Sequence, residues 1–403
     1  MGVVQRKLTN TFNKFFESEK SSGILIIACT AVSLLLTNSI IGENYLSIWS
    51  GYIGGLSVEH WINDGLMAVF FFLIGLELRR ELLVGELSDL GSAMLPMFAA
   101  LGGVILPAAI HFGFNFGMAT QPGIGIPMAT DIAFALGVLA LIGSRVPASL
   151  KVFLTALAVI DDLAAIFVIA VFYTAELSMI YLGGALAVFV LLLAMNHLGR
   201  VESVTPYLIG AVLLWFLMLQ SGVHATIAGV LAAFTVPFST EGGEETSALH
   251  LLEQFLHKPV AFIILPIFAL ANTGIIIGGD WFQGLSESNS LGIIIGLVAG
   301  KPIGITLASF IVVTVGICRL PLDLNWKHVF GAGLLGGIGF TMSIFITNLA
   351  FTGNAEIINA SKMAILLASL TAGTAGFIWL KLLGKPEASD EDLNTMDFET
   401  VNS

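Results

Sequence analysis

Charge is what this 403-residue sequence has little of: Asp, Glu, Lys and Arg make up only 11% of it, where a soluble domain carries roughly a quarter. A chain so poor in charge and 56% hydrophobic is excluded from the soluble globular class. Cysteine is scarcer still, at two residues. Cys29 and Cys318 lie far apart in apolar segments, which excludes a disulfide framework and metal-ligand spacing. A cleavable leader is not expected, because about 20 polar residues precede the first apolar run, whereas a signal peptide has a short basic start and a 7 to 15 residue apolar core. Ile26 to Cys29 faintly resembles a lipoprotein cleavage site, but the apolar run from Gly23 to Ile41 continues past it, as a retained membrane helix should. The net charge of −12 would suggest a cationic partner and no nucleic acid, yet much of it lies in the tail Glu387 to Glu399 and the loop Glu241 to Glu245, which are solvated ends, so it says little about partners.

What the sequence does have is apolar runs and 44 glycines set inside them, where transmembrane helices use Gly for close packing and local unwinding. With about 20 apolar residues per crossing, twelve spans are expected. The first is Gly23 to Ile41, followed by spans near 60–82, 92–113, 123–143, 148–174, 178–198, 203–219, 222–237, 255–277, 290–315, 326–350 and 357–383. Basic residues favour cytoplasmic loops, and here they alternate. The N-terminus carries Arg6, Lys7, Lys14 and Lys20, and even-numbered connections carry Arg79, Arg80, Arg145, Lys151, Arg200, Lys258, Arg319 and Lys327. Lys381 and Lys385 close the chain, and odd-numbered connections have no Lys or Arg. Both termini are therefore expected in the cytoplasm, with 1–22 as a leading segment, 23–384 as the transporter domain and 385–403 as an acidic, disordered tail. The outside connection from Tyr45 to Trp61 alternates about Gly54 and Gly55, which predicts a small β-hairpin over about 43–59; an irregular loop is the alternative.

Five charges fall inside apolar segments: Asp131, Asp161, Asp162, Lys301 and Lys362. Lys362 sits near an outer end and is expected to snorkel. The other four share one depth near mid-span and would oppose insertion by roughly 10 to 14 kcal/mol together. An Asp161–Lys301 ion pair could be purely structural, yet it leaves two carboxylates over. Neighbours on a helix point about 100° apart, so Asp161 and Asp162 cannot both face Lys301. A water-accessible cation site follows, with carboxylates and the Thr130 hydroxyl suited to a hard cation. Carboxylates also bind protons, and competition for one site is the simplest route to exchange. Pro127 and the glycines of Gly123 to Asp131 predict an interrupted helix, and Gly331 to Ser343 predicts a second. Paired interruptions point to a binding site between inverted repeats, placed at about 92–174 and 290–383.

These residues resemble a known family. Ala129 to Gly137, Ala158 to Ala164, Gly300-Lys301-Pro302, Ser221 to Ala225 and Gly337 to Thr341 are similar, in order and over nearly the whole chain, to the NhaA-type sodium/proton antiporters of bacterial inner membranes, themselves a standard example of inverted-repeat transporters. The resemblance implies an all-α, twelve-helix secondary transporter, not an enzyme, without a cofactor. It implies two interrupted helices crossing at Thr130-Asp131 and 337–343, with Gly337, Gly339 and Thr341 in the second break. It implies electrogenic exchange of Na+ or Li+ for a larger number of protons. Asp162 then corresponds to the principal cation and proton site, with Asp161 beside it; Lys301 pairs with Asp161 or compensates helix ends, and Asp131 and Thr130 line the site. A pH-response cluster is implied from Glu77, Arg80, Glu81, Glu253 and His257, with ordinary edge charges as the alternative. Gln254 departs from the family's histidine there. His224 is a further candidate for tuning pH dependence, and the hairpin would be the contact of a homodimer. Two rivals fit less well. An intramembrane aspartyl protease would show Gly-any-Gly-Asp or Tyr-Asp around its aspartates, and a carrier of small organic solutes would show aromatic or amide groups beside the charges.

Overall fold

The computed structural model describes residues 21–174, 177–198, 203–238, 247–279 and 281–383. Arg200, the acidic loop Glu241 to Glu245, the basic start of the chain and the tail beyond Lys385 lie outside the described residues. Helix α1 (Ser21–Thr37) turns by 116° into the short α2 (Gly42–Ser50). Strands β1 (Tyr52–Ile53) and β2 (Leu56–Ser57) follow. The rest is helical: α3 (Val58–Leu83), α4 (Leu90–Asn115), a 3₁₀ segment (Gln121–Met128) leading to α5 (Ile132–Ile142), α6 (Ala148–Phe172), α7 (Met179–His197), α8 (Thr205–Ser221) and α9 (Ile227–Thr235). After these come α10 (Ala248–Asn272), the short α11 (Trp281–Leu285), α12 (Ser288–Thr314), α13 (Trp326–Gly336), α14 (Phe340–Ala350) and α15 (Ala355–Leu383).

Among the described residues, eight helices are long and apolar enough to cross a membrane, and up to ten if each of two bent pairs counts as one span. Every one of the twelve predicted segments contains helix, but α8 has 17 residues and α9 only 9, short of the roughly 20 that cross a bilayer. Among the described residues the structure thus supports a multi-span helical membrane protein, with eight to ten helices or bent helix pairs of spanning length and composition.

Three expectations need correcting. The span placed at 255–277 runs instead from Ala248 to Asn272. Leu249, Leu252 and Leu256 pack inward along its first turns, while His250, Glu253, Gln254 and His257 lower the local hydropathy and hide an amphipathic start. The hairpin of about 43–59 keeps only two residue pairs, Tyr52 with Ser57 and Ile53 with Leu56, around Gly54 and Gly55 at positive φ, as a tight hairpin turn requires. Its first half is α2, where Tyr45 and Trp49, four residues apart, pack edge to face at 5.7 Å. The Tyr45 hydroxyl donates to the Leu270 carbonyl at 2.7 Å, which fixes α2 to α10. Lys362, expected to snorkel, is only 8% exposed. Its end of α15 packs into a buried polar seam, in which Asn289 donates to Ser361 at 2.7 Å and also contacts His111 at 3.1 Å.

Glycine sets a close helix crossing. A Cβ on Gly102 of α4 would collide with the Gly304 carbonyl of α12, and one on Gly304 with the Gly102 carbonyl. The two backbones are in direct contact, as small residues permit between membrane helices. Gly304→Leu should therefore lower stability by about 1–3 kcal/mol through overpacking, seen as an earlier detergent melt; an unchanged melt would contradict this crossing.

Candidate functional site

Both interruptions lie where the sequence weakens helix. Pro127 lacks a backbone donor, and after Met128 the chain is extended through Ala129 (ψ 148°) and Asp131 (ψ 100°) before α5 begins. In the second half Gly337, Ile338 and Gly339 separate α13 from α14, which are bent 47° apart. The two breaks touch: the Asp131 amide donates to the Ile338 carbonyl at 2.7 Å.

Each break exposes one helix C-terminus and one helix N-terminus inside the protein, where the unpaired amides and carbonyls need partners. Asp131 serves both N-termini. One carboxylate oxygen accepts from the Phe134 amide of α5 at 3.1 Å, and the other accepts from the Thr341 amide of α14 at 3.0 Å and the Thr341 hydroxyl at 2.5 Å. The C-termini meet donors. Lys301 Nζ donates to the Met128 carbonyl that ends the 3₁₀ segment, and the Thr130 hydroxyl lies 2.9 Å from the Gly336 carbonyl that ends α13. Lys301 Nζ also reaches Asp161 Oδ2 at 2.5 Å, both side chains being fully buried. Pairing with Asp161 and compensating a helix end are therefore both done by one ammonium group. Thr130 Oγ1 is 2.6 Å from the same Asp161 oxygen, so its single proton has two acceptors to choose between.

Asp162 is different. It is 1% exposed, and neither carboxylate oxygen has a hydrogen-bond partner among the described residues; nor does Asp161 Oδ1. Buried carboxylates are normally paired or hydrogen-bonded. Asp161 has two donors on one oxygen, while its sequence neighbour has none on either. Asp162 is the one carboxylate among the described residues with both oxygens buried and without a hydrogen-bond partner.

The remaining candidates divide between two faces. Toward the end of α3 away from the hairpin, Arg80 Nε donates to both oxygens of Glu253 on α10 at 3.0 Å, and its Nη2 lies 2.8 Å from Glu81. Glu77 is one turn earlier on α3, and His257 lies one turn after Glu253 on α10. Gln254 contacts His250 at 2.8 Å. Arg80, Glu81 and Glu253 thus form one cluster joining α3 to α10. His224 stands apart from it, with Nε2 2.7 Å from the Tyr173 carbonyl at the end of α6, and the Tyr173 hydroxyl donates to the Pro122 carbonyl at 2.7 Å. Sequence reasoning missed the Met128 carbonyl as a partner of Lys301 and the hydroxyl of Thr341 as a partner of Asp131. Both depend on a tertiary crossing; the nearest signal was the polar pair Thr341 and Ser343 inside an apolar run.

A sequence model described as Na+/H+ antiporter 1 matches residues 13–380. The chain is 66% identical over 380 residues, 94% of its length and 98% of the relative's, to a protein of Dechloromonas aromatica named Na(+)/H(+) antiporter NhaA. It is 55% identical over 385 residues, 96% of its length and 98% of the relative's, to the protein of that name from Cytophaga hutchinsonii. To that from Mesorhizobium japonicum it is 45% identical over 397 residues, 97% of its length and 100% of the relative's. With agreement running from end to end and the charged breaks inside the matched region, the chain belongs to the Na+/H+ antiporter 1 family.

Proposed function

We propose that the chain is an electrogenic sodium/proton antiporter, a secondary transporter and not an enzyme, that expels Na+ or Li+ in exchange for a larger number of protons by alternating access at Asp162. Sodium/proton antiport rests on the family and on the printed names of its relatives. The observation that carries the mechanism is the bare, buried carboxylate of Asp162 beside an Asp161 already held by Lys301. A hard cation prefers oxygen ligands, and the Thr130 hydroxyl and Asp131 lie on the adjoining break to complete such a set. A proton and a sodium ion compete for Asp162, so binding one expels the other. Exposing the site to each side in turn then converts an inward proton gradient into outward sodium flow.

The succession of long helix, interrupted helix and long helix occurs twice, in α4 to α6 and in α12 to α15. This order favours inverted repeats at about 92–174 and 290–383 and two crossing interrupted helices within a twelve-span architecture. Segregation of Lys and Arg favours both termini on the cytoplasmic side, and the family's resemblance favours a bacterial inner membrane. The apolar outer face of α7, with Ile180 85% and Leu186 62% exposed, suits membrane lipid. The cluster of Glu77, Arg80, Glu81, Glu253 and His257, with His224 on the other face, is assigned to pH response. The hairpin, with Tyr52 and Ile53 projecting outward, is assigned to a homodimer contact, because a two-stranded edge gains stability from a partner.

The test is cation-induced dequenching of a pH dye in vesicles holding the purified chain, at several pH values. Na+ and Li+ should each release protons without any organic solute, and collapsing the membrane potential should change the rate. Silence toward both cations at every pH, or a requirement for an organic solute, would sink the reading.

A further inference from the structure

We infer that the way from the Asp162 site to the hairpin face is shut by two stacked layers drawn from the same three helices: a phenylalanine layer of Phe71, Phe268 and Phe345, and outside it an amide clasp of Asn63, Asn272 and Asn348, in which Asn272 is the positioning residue. The inference rests on the alternating access proposed above and names the contact that must part when the site opens outward. On α14 the order from the break is Thr341, bonded to Asp131, then Phe345 one turn on, then Asn348 almost a turn further. On α10, Phe268 precedes Asn272 by one turn. Helix α3 runs inward from the hairpin, so Asn63 comes before Phe71. In all three helices the amide is nearer the hairpin face and the ring is nearer the break.

The contacts close each layer. Phe345 packs against Phe71 at 5.6 Å and Phe268 at 6.5 Å between ring centroids, and all three rings are fully buried. Asn272, 1% exposed, spends every part of its amide: Nδ2 donates to Asn63 Oδ1 at 2.8 Å and to the Phe268 carbonyl at 3.1 Å, and Oδ1 accepts from Asn348 Nδ2 at 2.6 Å. These layers span two assemblies that are each fastened internally. Helix α3 is tied to α10 through Arg80 and Glu253, and it meets α9 at Gly75 and Gly229, where an added Cβ would strike Ala233 and the Ala68 carbonyl. Helix α14 is tied to the first break through Thr341 to Asp131 and through Ser343 Oγ to the Ile126 carbonyl at 2.7 Å. The bond from Asn348 to Asn272 and the Phe345 contacts join one assembly to the other on this face. Neutral amides exchange partners with water at small net cost, so such a clasp can open without stranding a charge, and the rings behind it keep water out while it is closed.

Two measurements test the clasp in the full-length chain carrying Cys29→Ser and Cys318→Ser. First, Asn272→Cys with Asn348→Cys is bridged by a short bis-methanethiosulfonate, because an amide-to-amide contact leaves more room than a disulfide spans. Bridging should cut sodium/proton exchange by about tenfold or more, with recovery on reduction, since one of the two conformations is locked out. Second, Ser343→Cys is treated with a membrane-impermeant maleimide from the hairpin side. Adding Asn272→Ala should raise its labelling rate by about fivefold, the population shift expected from losing a net hydrogen bond. Exchange at the parent rate after bridging, failure of the pair to bridge, or unchanged labelling would each overturn the clasp. If the unbridged parent exchanges no sodium while labelling still responds to Asn272→Ala, the clasp stands and the functional reading falls.

Discussion

Asp162→Asn should abolish sodium-dependent proton flux in proteoliposomes and leave the detergent melt unchanged or raised. The two halves of this result have one cause. Asp162 makes no hydrogen bond on either oxygen among the described residues, so it contributes little to holding helices together, and a buried carboxylate without a partner opposes folding. Replacing it with a neutral amide of the same shape removes that burden. Transport has no such spare group. Changing an outer-shell partner alone costs about 10 to 100-fold in metal affinity, so deleting the ligand itself should exceed about 100-fold. An amide also cannot exchange a proton for a cation. Exchange at the parent rate would remove Asp162 from the site, and a large fall in melting temperature would mean that the residue is structural after all.

The charges of the site were legible in the sequence because intramembrane charge is expensive: Asp131, Asp161, Asp162 and Lys301 stand out of apolar runs whatever the tertiary structure. Both breaks were legible for a similar reason, since Pro127 and the cluster Gly336, Gly337 and Gly339 weaken helix locally. The 100° rule also foresaw that only one aspartate of the pair could face Lys301. What stayed hidden depends on which helices meet. That one carboxylate, Asp131, caps both α5 and α14 follows from the two breaks touching, and no local pattern encodes that touch. The early start of α10 at Ala248 was masked because its amphipathic first turns dilute an apolar window with His250, Glu253 and His257. The segment expected at 222–237 carries helix only over Ile227–Thr235, 9 residues, because apolar composition marks membrane depth and not where a helix starts and stops. Asn63, Asn272 and Asn348 went unremarked, since an asparagine in an apolar helix costs far less than an aspartate and signals itself only through its partners.

Lys301→Met should lower stability by about 3–5 kcal/mol, the cost of stranding one partner of a buried ion pair, and Asp161→Asn added to it should restore most of the loss. In the parent, Lys301 Nζ touches Asp161 Oδ2 at 2.5 Å with no exposure of either side chain, and it also holds the Met128 carbonyl. Methionine keeps the volume of the stem and removes both donations. The carboxylate then keeps only the Thr130 hydroxyl, which is also needed at Gly336. Asp161→Asn in the same chain takes away the stranded charge, so the double variant strands only the Met128 carbonyl. Detergent melts of the parent, the two single variants and the double variant close a cycle, and contacting residues of this kind couple by about 0.5–3 kcal/mol. Additive losses would mean that the pair is not made in the folded protein. Coupling accompanied by wild-type exchange in the double variant would make Asp161 and Lys301 a purely structural strut, and would leave Asp162 alone to carry the ion.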